Sequence, residues 1–177
     1  MTVRSFLAKT YRIISLRDLE LLLVWVLNCD RGYIVAHPEL AITIWQATRL
    51  YYAVFLYKHG WSIAHITHRK EFFGLDFYVN RHTLIPRPDT ETLVEKALTI
   101  LETTSQDSKV TVIDVGTGSG CIPITIGKKT PRRATLLATD ISRGALRVAK
   151  KNAMKHAVPI TFFRGNLLES LISVVQK

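Results

Sequence analysis

Asp114-Val115-Gly116-Thr117-Gly118-Ser119-Gly120 is the stretch whose reading decides the fold. It follows the β-branched run Val110 to Val115 and leads into an apolar stretch from about Gly120, so its glycines sit where a strand hands over to a helix. Residues without Cβ permit a tight turn there and let a ligand approach the backbone. The alternation continues with a strand over Ala134 to Thr139, a helix over Ser142 to His156 and a strand over Ile160 to Phe163. Strands alternating with helices predict parallel pairing through right-handed crossovers. Pro123 and Gly127 oppose helix formation after the loop. A short helix is therefore expected, with Pro123 in its opening turn, where a missing N–H costs nothing.

Upstream the period is different. In residues 1–60 apolar side chains recur at three and four, as in Leu16, Leu19, Leu22, Leu23, Val26 and Leu27, then Ile44, Ala47, Leu50, Tyr51, Val54 and Phe55. That spacing, punctuated by Asn28, Asp30, Gly32 and Pro38, predicts a small helical bundle. After Gly60 the pattern changes, and Glu71 to Asn80 reads as a β-hairpin around Gly74. The expected organisation is a bundle over 1–60, a hairpin and proline-rich linker over 61–88, and an α/β domain over 89–177. Pro86 and Pro88 hold their segment extended, and Asp89 or Thr90 is placed to cap a helix carrying Leu93, Val94, Ala97, Leu98 and Leu101.

Composition narrows the classes. With 47% hydrophobic and 21% charged residues the 177-residue chain has the make-up of a globular protein, which excludes disordered, collagen-like and coiled-coil classes. Its most apolar runs, Leu19 to Leu27 and Ala41 to Tyr57, are too short or too interrupted to cross a bilayer and are expected to be core helices. Cys29 and Cys121 are too few for a disulfide scaffold, and no secretory signal pattern opens the sequence, so a reducing cytoplasm is expected. The net charge of +10 is concentrated at the C-terminal end: residues 109–177 carry +9. Lys128, Lys129, Arg132, Arg133, Arg143, Arg147, Lys150, Lys151 and Lys155 form either a solvated face or a ribosome- or nucleic-acid-facing patch. The six histidines and two cysteines lack metal-ligand spacing, so no metal is expected.

The loop is a cofactor loop. A dinucleotide fingerprint would place its third glycine at 121, where Cys121 stands, and no Gly-Lys-Ser/Thr ends a phosphate loop. Asp114 before the glycines would repel phosphate and suits a cationic ligand. S-adenosylmethionine, with its sulfonium and ammonium groups, fits. Asp140, ending the second strand 24 residues after Gly116, is placed to accept both ribose hydroxyls, and Asp114 to face the amino-acid end. Cys121 is expected to be a small packing residue rather than a nucleophile, since direct methyl transfer needs no covalent intermediate.

Leu84-Ile85-Pro86-Arg87-Pro88-Asp89-Thr90-Glu91 followed by Leu93-Val94-Glu95, the preceding hairpin, the loop Asp114 to Gly120, and Asp140-Ile141-Ser142 together resemble the peptide-chain release factor glutamine methyltransferases. These use S-adenosylmethionine to methylate the glutamine of a Gly-Gly-Gln tripeptide. The resemblance implies an N-terminal helical release-factor-binding bundle and a Rossmann-like methyltransferase domain, acting as a monomer with a release factor as protein partner. It implies that Asp114, Gly116, Thr117, Gly118, Ser119, Gly120 and Asp140 hold the cofactor, and that Gly165-Asn166-Leu167 takes the place of an adenine-contacting motif, with Asn166 where the family has aspartate. It also implies that Arg87 and Glu91 tie the proline segment to the methyltransferase core, and that His68 stands where the family has glycine. The family's Asn-Pro-Pro-Tyr, which holds the substrate amide, does not occur in these residues. No catalytic residue is therefore assigned, a truncated methyltransferase domain is expected, and these residues alone are expected to be inactive. A nucleic-acid amino methyltransferase and a non-catalytic fragment that binds a release factor or ribosome are the alternatives.

Overall fold

The structure, a computed structural model, describes residues 1–104, 110–130 and 134–171. Two compact units divide the chain between Thr67 and His68.

The first unit contains α1 (Val3–Thr10), α2 (Leu16–Leu27), α3 (Arg31–Ala36), α4 (Ile44–Lys58) and α5 (Ile63–Thr67). Short polar side chains start the helices. Thr2 and Thr43 form reciprocal capping boxes with Ser5 and Gln46, while Ser15 and Asp30 accept from the backbone N–H groups of Asp18 and Tyr33. Phe6, Leu19, Leu22, Leu23, Leu50, Val54 and Ile66 fill the core. The unit runs on past Gly60, where the change of period suggested a joint, because α5 adds a further helical turn whose Ile66 enters the bundle core. On α4 the periodic set divides. Leu50, Ala53 and Val54 are buried, whereas Ile44 is 87% and Phe55 53% exposed and Tyr51 is also exposed, because the apolar stripe is wider than the face its neighbours cover.

The second unit opens with β1 (Arg69–Phe72) and β2 (Leu75–Tyr78), paired antiparallel with Phe72 opposite Leu75. The turn residues Phe73 and Gly74 have φ of 53° and 73°, both positive, as a tight two-residue hairpin turn requires. The hairpin is part of the unit's core rather than a linker. Phe72 and Phe77 pack edge to face and join Val94, Leu101, Ile124 and Leu136 in one apolar cluster. His68 has φ 56°, a conformation that favours glycine. Its ring is held by stacking on Tyr78 and by a contact of 3.1 Å between Nδ1 and the Val79 carbonyl.

α6 (Asp89–Thr103) follows, then β3 (Val110–Val115), α7 (Cys121–Lys129), β4 (Ala134–Asp140), α8 (Arg143–His156), β5 (Thr161–Arg164) and a 3₁₀ turn, Glu169–Leu171. Neither Asp89 nor Thr90 caps α6. Pro88 takes the N-cap place in helical conformation without a side-chain bond, leaving Asp89 and Glu91 in the first turn, where acidic groups favour the helix dipole. The strands form a parallel sheet in the order β3-β4-β5, with Val115 beside Thr139 and Asp140 beside Arg164. Four successive residues of the central strand, Leu136 to Thr139, are buried. Pro123 falls in the first turn of α7, and Gly127 has a packing reason: a Cβ there would lie 2.5 Å from Val158 Cγ1 and 2.6 Å from Leu136 Cδ1.

Gly127→Ala separates two opposing effects. Helix propensity favours alanine by about 1 kcal/mol, whereas overpacking two buried side chains at once costs about 1–3 kcal/mol. A net loss of about 1 kcal/mol in urea unfolding is expected, and a stabilised variant would refute the close packing of α7 on Leu136 and Val158.

Candidate functional site

The carboxyl end of the parallel sheet gathers the predicted site residues. After β3 the chain turns through Gly116, Gly118 and Gly120, at φ of 76°, 55° and 80°. Each is a conformation that a side chain strains. Thr139 at the end of β4 fastens the start of the turn, its carbonyl accepting from both Gly116 N and Thr117 N at 2.9 Å. Gly120 N then donates to the Thr117 carbonyl at 2.8 Å, closing the loop onto α7. A Cβ at Gly116 would meet nothing within 4 Å and one at Gly118 only the Gly116 carbonyl oxygen at 4.0 Å, so this part of the loop faces open space. Gly120 faces the protein instead, where a Cβ would come within 3.2 Å of Ala149 Cβ on α8.

Asp140 stands across from the loop. Its Oδ2 accepts from Gly118 N at 2.9 Å and its Oδ1 from Ser142 N at 2.8 Å. An ionised carboxylate offers about four lone-pair positions, so each oxygen retains capacity for a ligand hydroxyl. Asp114 is the second acid. Its Oδ2 is buried without a hydrogen-bond partner among the described residues, as is Thr117 Oγ1 beside it. Burial pushes the Asp114 carboxyl above its ordinary value, the neighbouring Thr117 hydroxyl works against the rise, and the negative charge of Asp140 adds to it. Two acids therefore flank an open backbone loop, and the more deeply set one has no counter-charge among the described residues, which is the electrostatic complement of a cation. Ser119 and Thr117 are buried within the loop. Cys121, at the start of α7, is a buried thiol pushed up to about 11 by desolvation, so it is protonated at neutral pH and fills space.

Asn166 and Leu167 reach the same end of the sheet from β5. Gly165 N donates to the Asp140 carbonyl at 3.3 Å, and the Leu167 carbonyl accepts from Thr139 Oγ1 at 3.0 Å. Asn166 is exposed and bonds Glu169 through Nδ2 at 3.4 Å, while the Leu167 side chain is 67% exposed. Of the two residues expected to tie down the proline segment, Glu91 accepts from Phe73 N at 2.9 Å, joining α6 to the hairpin turn, and Arg87 points to solvent. Among the described residues no three His, Cys, Asp or Glu side chains gather as metal ligands.

The basic residues divide. Lys155 Nζ pairs with Asp76 Oδ2 at 2.6 Å, Lys151 lies 3.6 Å above the Tyr78 ring, Lys129 faces Phe73, and Lys128 donates to the His156 carbonyl. These fasten α7 and α8 locally, while Arg143, Arg147 and Lys150 remain exposed. Arg132 and Arg133 lie outside the described residues. One residue at the loop, within the Ala149 to Ala153 stretch that shares the family resemblance, takes no role from the sequence. Asn152 on α8 is fully buried and bonds the Ser119 carbonyl. The available signal was a lone amide on a helix face otherwise formed by Ala145, Leu146, Ala149 and Ala153.

Comparison with known proteins relates the chain to one family. Residues 2–67 match the model described as PrmC N-terminal domain, and residues 92–174 the one described as Methyltransferase small domain. The release factor glutamine methyltransferase of Koribacter versatilis is 41% identical over 86% of this chain and 53% of its own length. Those of Xylella fastidiosa and Bacillus subtilis are 40% and 36% identical over 88% and 89% of the chain and 55% of theirs. The chain thus spans about half the length of the curated relatives it matches.

The electrostatics of the acid pair can be checked in the free protein. A carboxyl whose folded value is raised above the ordinary 3.8 binds its proton more tightly folded than unfolded. Stability is therefore lost as pH rises from the unfolded value through the raised one and stays lost above it. Asp114→Asn is expected to unfold at higher urea than the wild type at pH 7, with the difference shrinking as pH is lowered towards 4. A variant less stable than wild type at pH 7 would contradict the uncompensated burial of Asp114.

Proposed function

We propose that this relative of the release factor glutamine methyltransferases builds the S-adenosylmethionine-holding part of an enzyme that methylates the glutamine amide of a release factor's Gly-Gly-Gln tripeptide. The observation that carries the reading is the pair of acids around an open glycine loop, Asp114 with an unpartnered buried oxygen and Asp140 with spare acceptor capacity. When bound, the cofactor would supply an electrophilic methyl group on a sulfonium. The chain's own residues bind and orient. Asp140 would accept from the ribose hydroxyls, Asp114 would face the cationic amino-acid end, the backbone from Gly116 to Gly120 would receive the ligand without interference from side chains, and Asn166 and Leu167 would hold the adenine. The N-terminal bundle docks the release factor, which places the protein in the cytoplasm, and the exposed Arg143, Arg147 and Lys150 are available to ribosome or nucleic acid.

Nothing in the sequence takes the part of the family's Asn-Pro-Pro-Tyr. An amide nitrogen is a poor nucleophile because its lone pair is delocalised into the carbonyl, so aligning and polarising it is the demanding part of the reaction. The 177 residues alone, incubated with labelled cofactor and a release factor, are expected to leave the glutamine unlabelled. Labelling by this polypeptide would contradict the need for an Asn-Pro-Pro-Tyr, and labelling of RNA instead would favour a nucleic-acid methyltransferase.

Calorimetry tests the cofactor assignment. Bonds from ligand hydroxyls to a charged acceptor are worth about 1.5–3 kcal/mol each, so Asp140→Ala should raise the Kd for S-adenosylmethionine at least about tenfold. Gly118→Val adds a side chain where φ is 55° and the loop is open, and should remove measurable binding. Unchanged affinity in both variants, with circular dichroism confirming their folds, would show that the ligand lies elsewhere.

A further inference from the structure

Asn152 places a primary amide, 0% exposed, on the face of α8 that packs against the glycine loop and the hairpin. A buried amide is costly unless its groups are bonded, and here they are. Oδ1 accepts from Tyr78 N at 2.8 Å, and Nδ2 donates to the Tyr78 carbonyl and to the Ser119 carbonyl, both at 2.9 Å. The side chain thus completes the backbone of Tyr78 at the end of β2 much as a neighbouring strand would, and spends its remaining proton on the cofactor loop.

The bond to Ser119 has a geometric consequence. The Ser119 carbonyl and the Gly120 N–H belong to one planar peptide unit. Asn152 fixes one end of that plane while the Gly120 N–H, donating to the Thr117 carbonyl at 2.8 Å, fixes the other. Rotation of this peptide changes ψ of Ser119 and φ of Gly120, and so would carry Gly120 out of its positive-φ conformation. Ala149, three residues earlier on the same helix face, closes against Gly120. We propose that Asn152 is a positioning residue for the cofactor loop, its amide locking the Ser119–Gly120 peptide to the end of the hairpin so that hairpin, α8 and loop hold one geometry. The proposal rests on the reading of that loop as the S-adenosylmethionine site.

Lys155 supplies the control. It bonds the hairpin through Asp76 but has no contact with the loop among the described residues. Amide exchange of the full 177-residue chain, followed by NMR at temperatures where each variant is folded, reads the loop without ligand, and calorimetry with S-adenosylmethionine reads the site. Asn152→Ala is expected to lower the protection of the Gly120 amide about tenfold and to weaken cofactor binding by a similar factor, whereas Lys155→Ala changes each less than about twofold. If the alanine variant does not fold, Asn152→Asp decides. It keeps the acceptor for Tyr78 N but sets an oxygen against two carbonyls, and on acidification its protonated carboxyl can donate again. Gly120 protection in this variant should therefore recover as pH falls, which wild type does not require. Wild-type Gly120 protection in Asn152→Asp at neutral pH, or an effect no larger than that of Lys155→Ala, would overturn the proposal. Failure of the wild-type chain to bind the cofactor would instead refute the cofactor reading, while the exchange data still decide the positioning role.

Discussion

The carboxylate of Asp140 holds the second unit's functional end together. One oxygen takes the N–H of Gly118 and the other that of Ser142, so a single side chain at the tip of β4 ties the loop leaving β3 to the start of α8. Bonds to an ionised acceptor are the stronger kind, and a helix N-terminus adds a favourable field for the negative charge. The carbonyl of the same residue receives Gly165 N, which draws the turn after β5 to the same point. Remove this carboxylate and the loop leaving β3 and the start of α8 lose their common reference.

That arrangement explains why Asp114 is costly. With Asp140 bonded to backbone N–H groups, a second carboxyl buried nearby has one oxygen without a hydrogen-bond partner among the described residues. The fold carries an electrostatic debt that a cationic ligand would settle, as expected of a preorganised site rather than one optimised for its own stability.

Much of this was legible from the residues, and the exceptions have physical causes. The β-α-β-α-β order, the strand Val110 to Val115 and the short helix around Pro123 follow from local periodicity and backbone chemistry. Asp114, Gly116 to Gly120 and Asp140 converge because parallel strands bring their carboxyl ends to one side, a consequence of topology that sequence spacing conveys. What local pattern cannot convey is which atoms meet. Gly127 read as a helix weakness and is a contact surface for Val158 and Leu136. The hairpin read as a linker, yet Phe72 and Phe77 are core. Asn152 sits 74 positions from Tyr78, and nothing short of the fold connects them. On α4 the periodicity identified the helix correctly but could not reveal which part of a wide apolar stripe the bundle would cover.

In the proposed function the loop between Asp114 and Asp140 receives S-adenosylmethionine. This is tested most directly by titrating the isotope-labelled chain with S-adenosylmethionine and following backbone amide shifts residue by residue. Saturable shifts confined to Gly116 through Gly120, Asp140 to Ser142 and Gly165 to Leu167 are expected, with the helices of residues 1–67 unmoved. Saturable binding whose shifts fall elsewhere, or no shift at millimolar ligand from a folded chain, would contradict it.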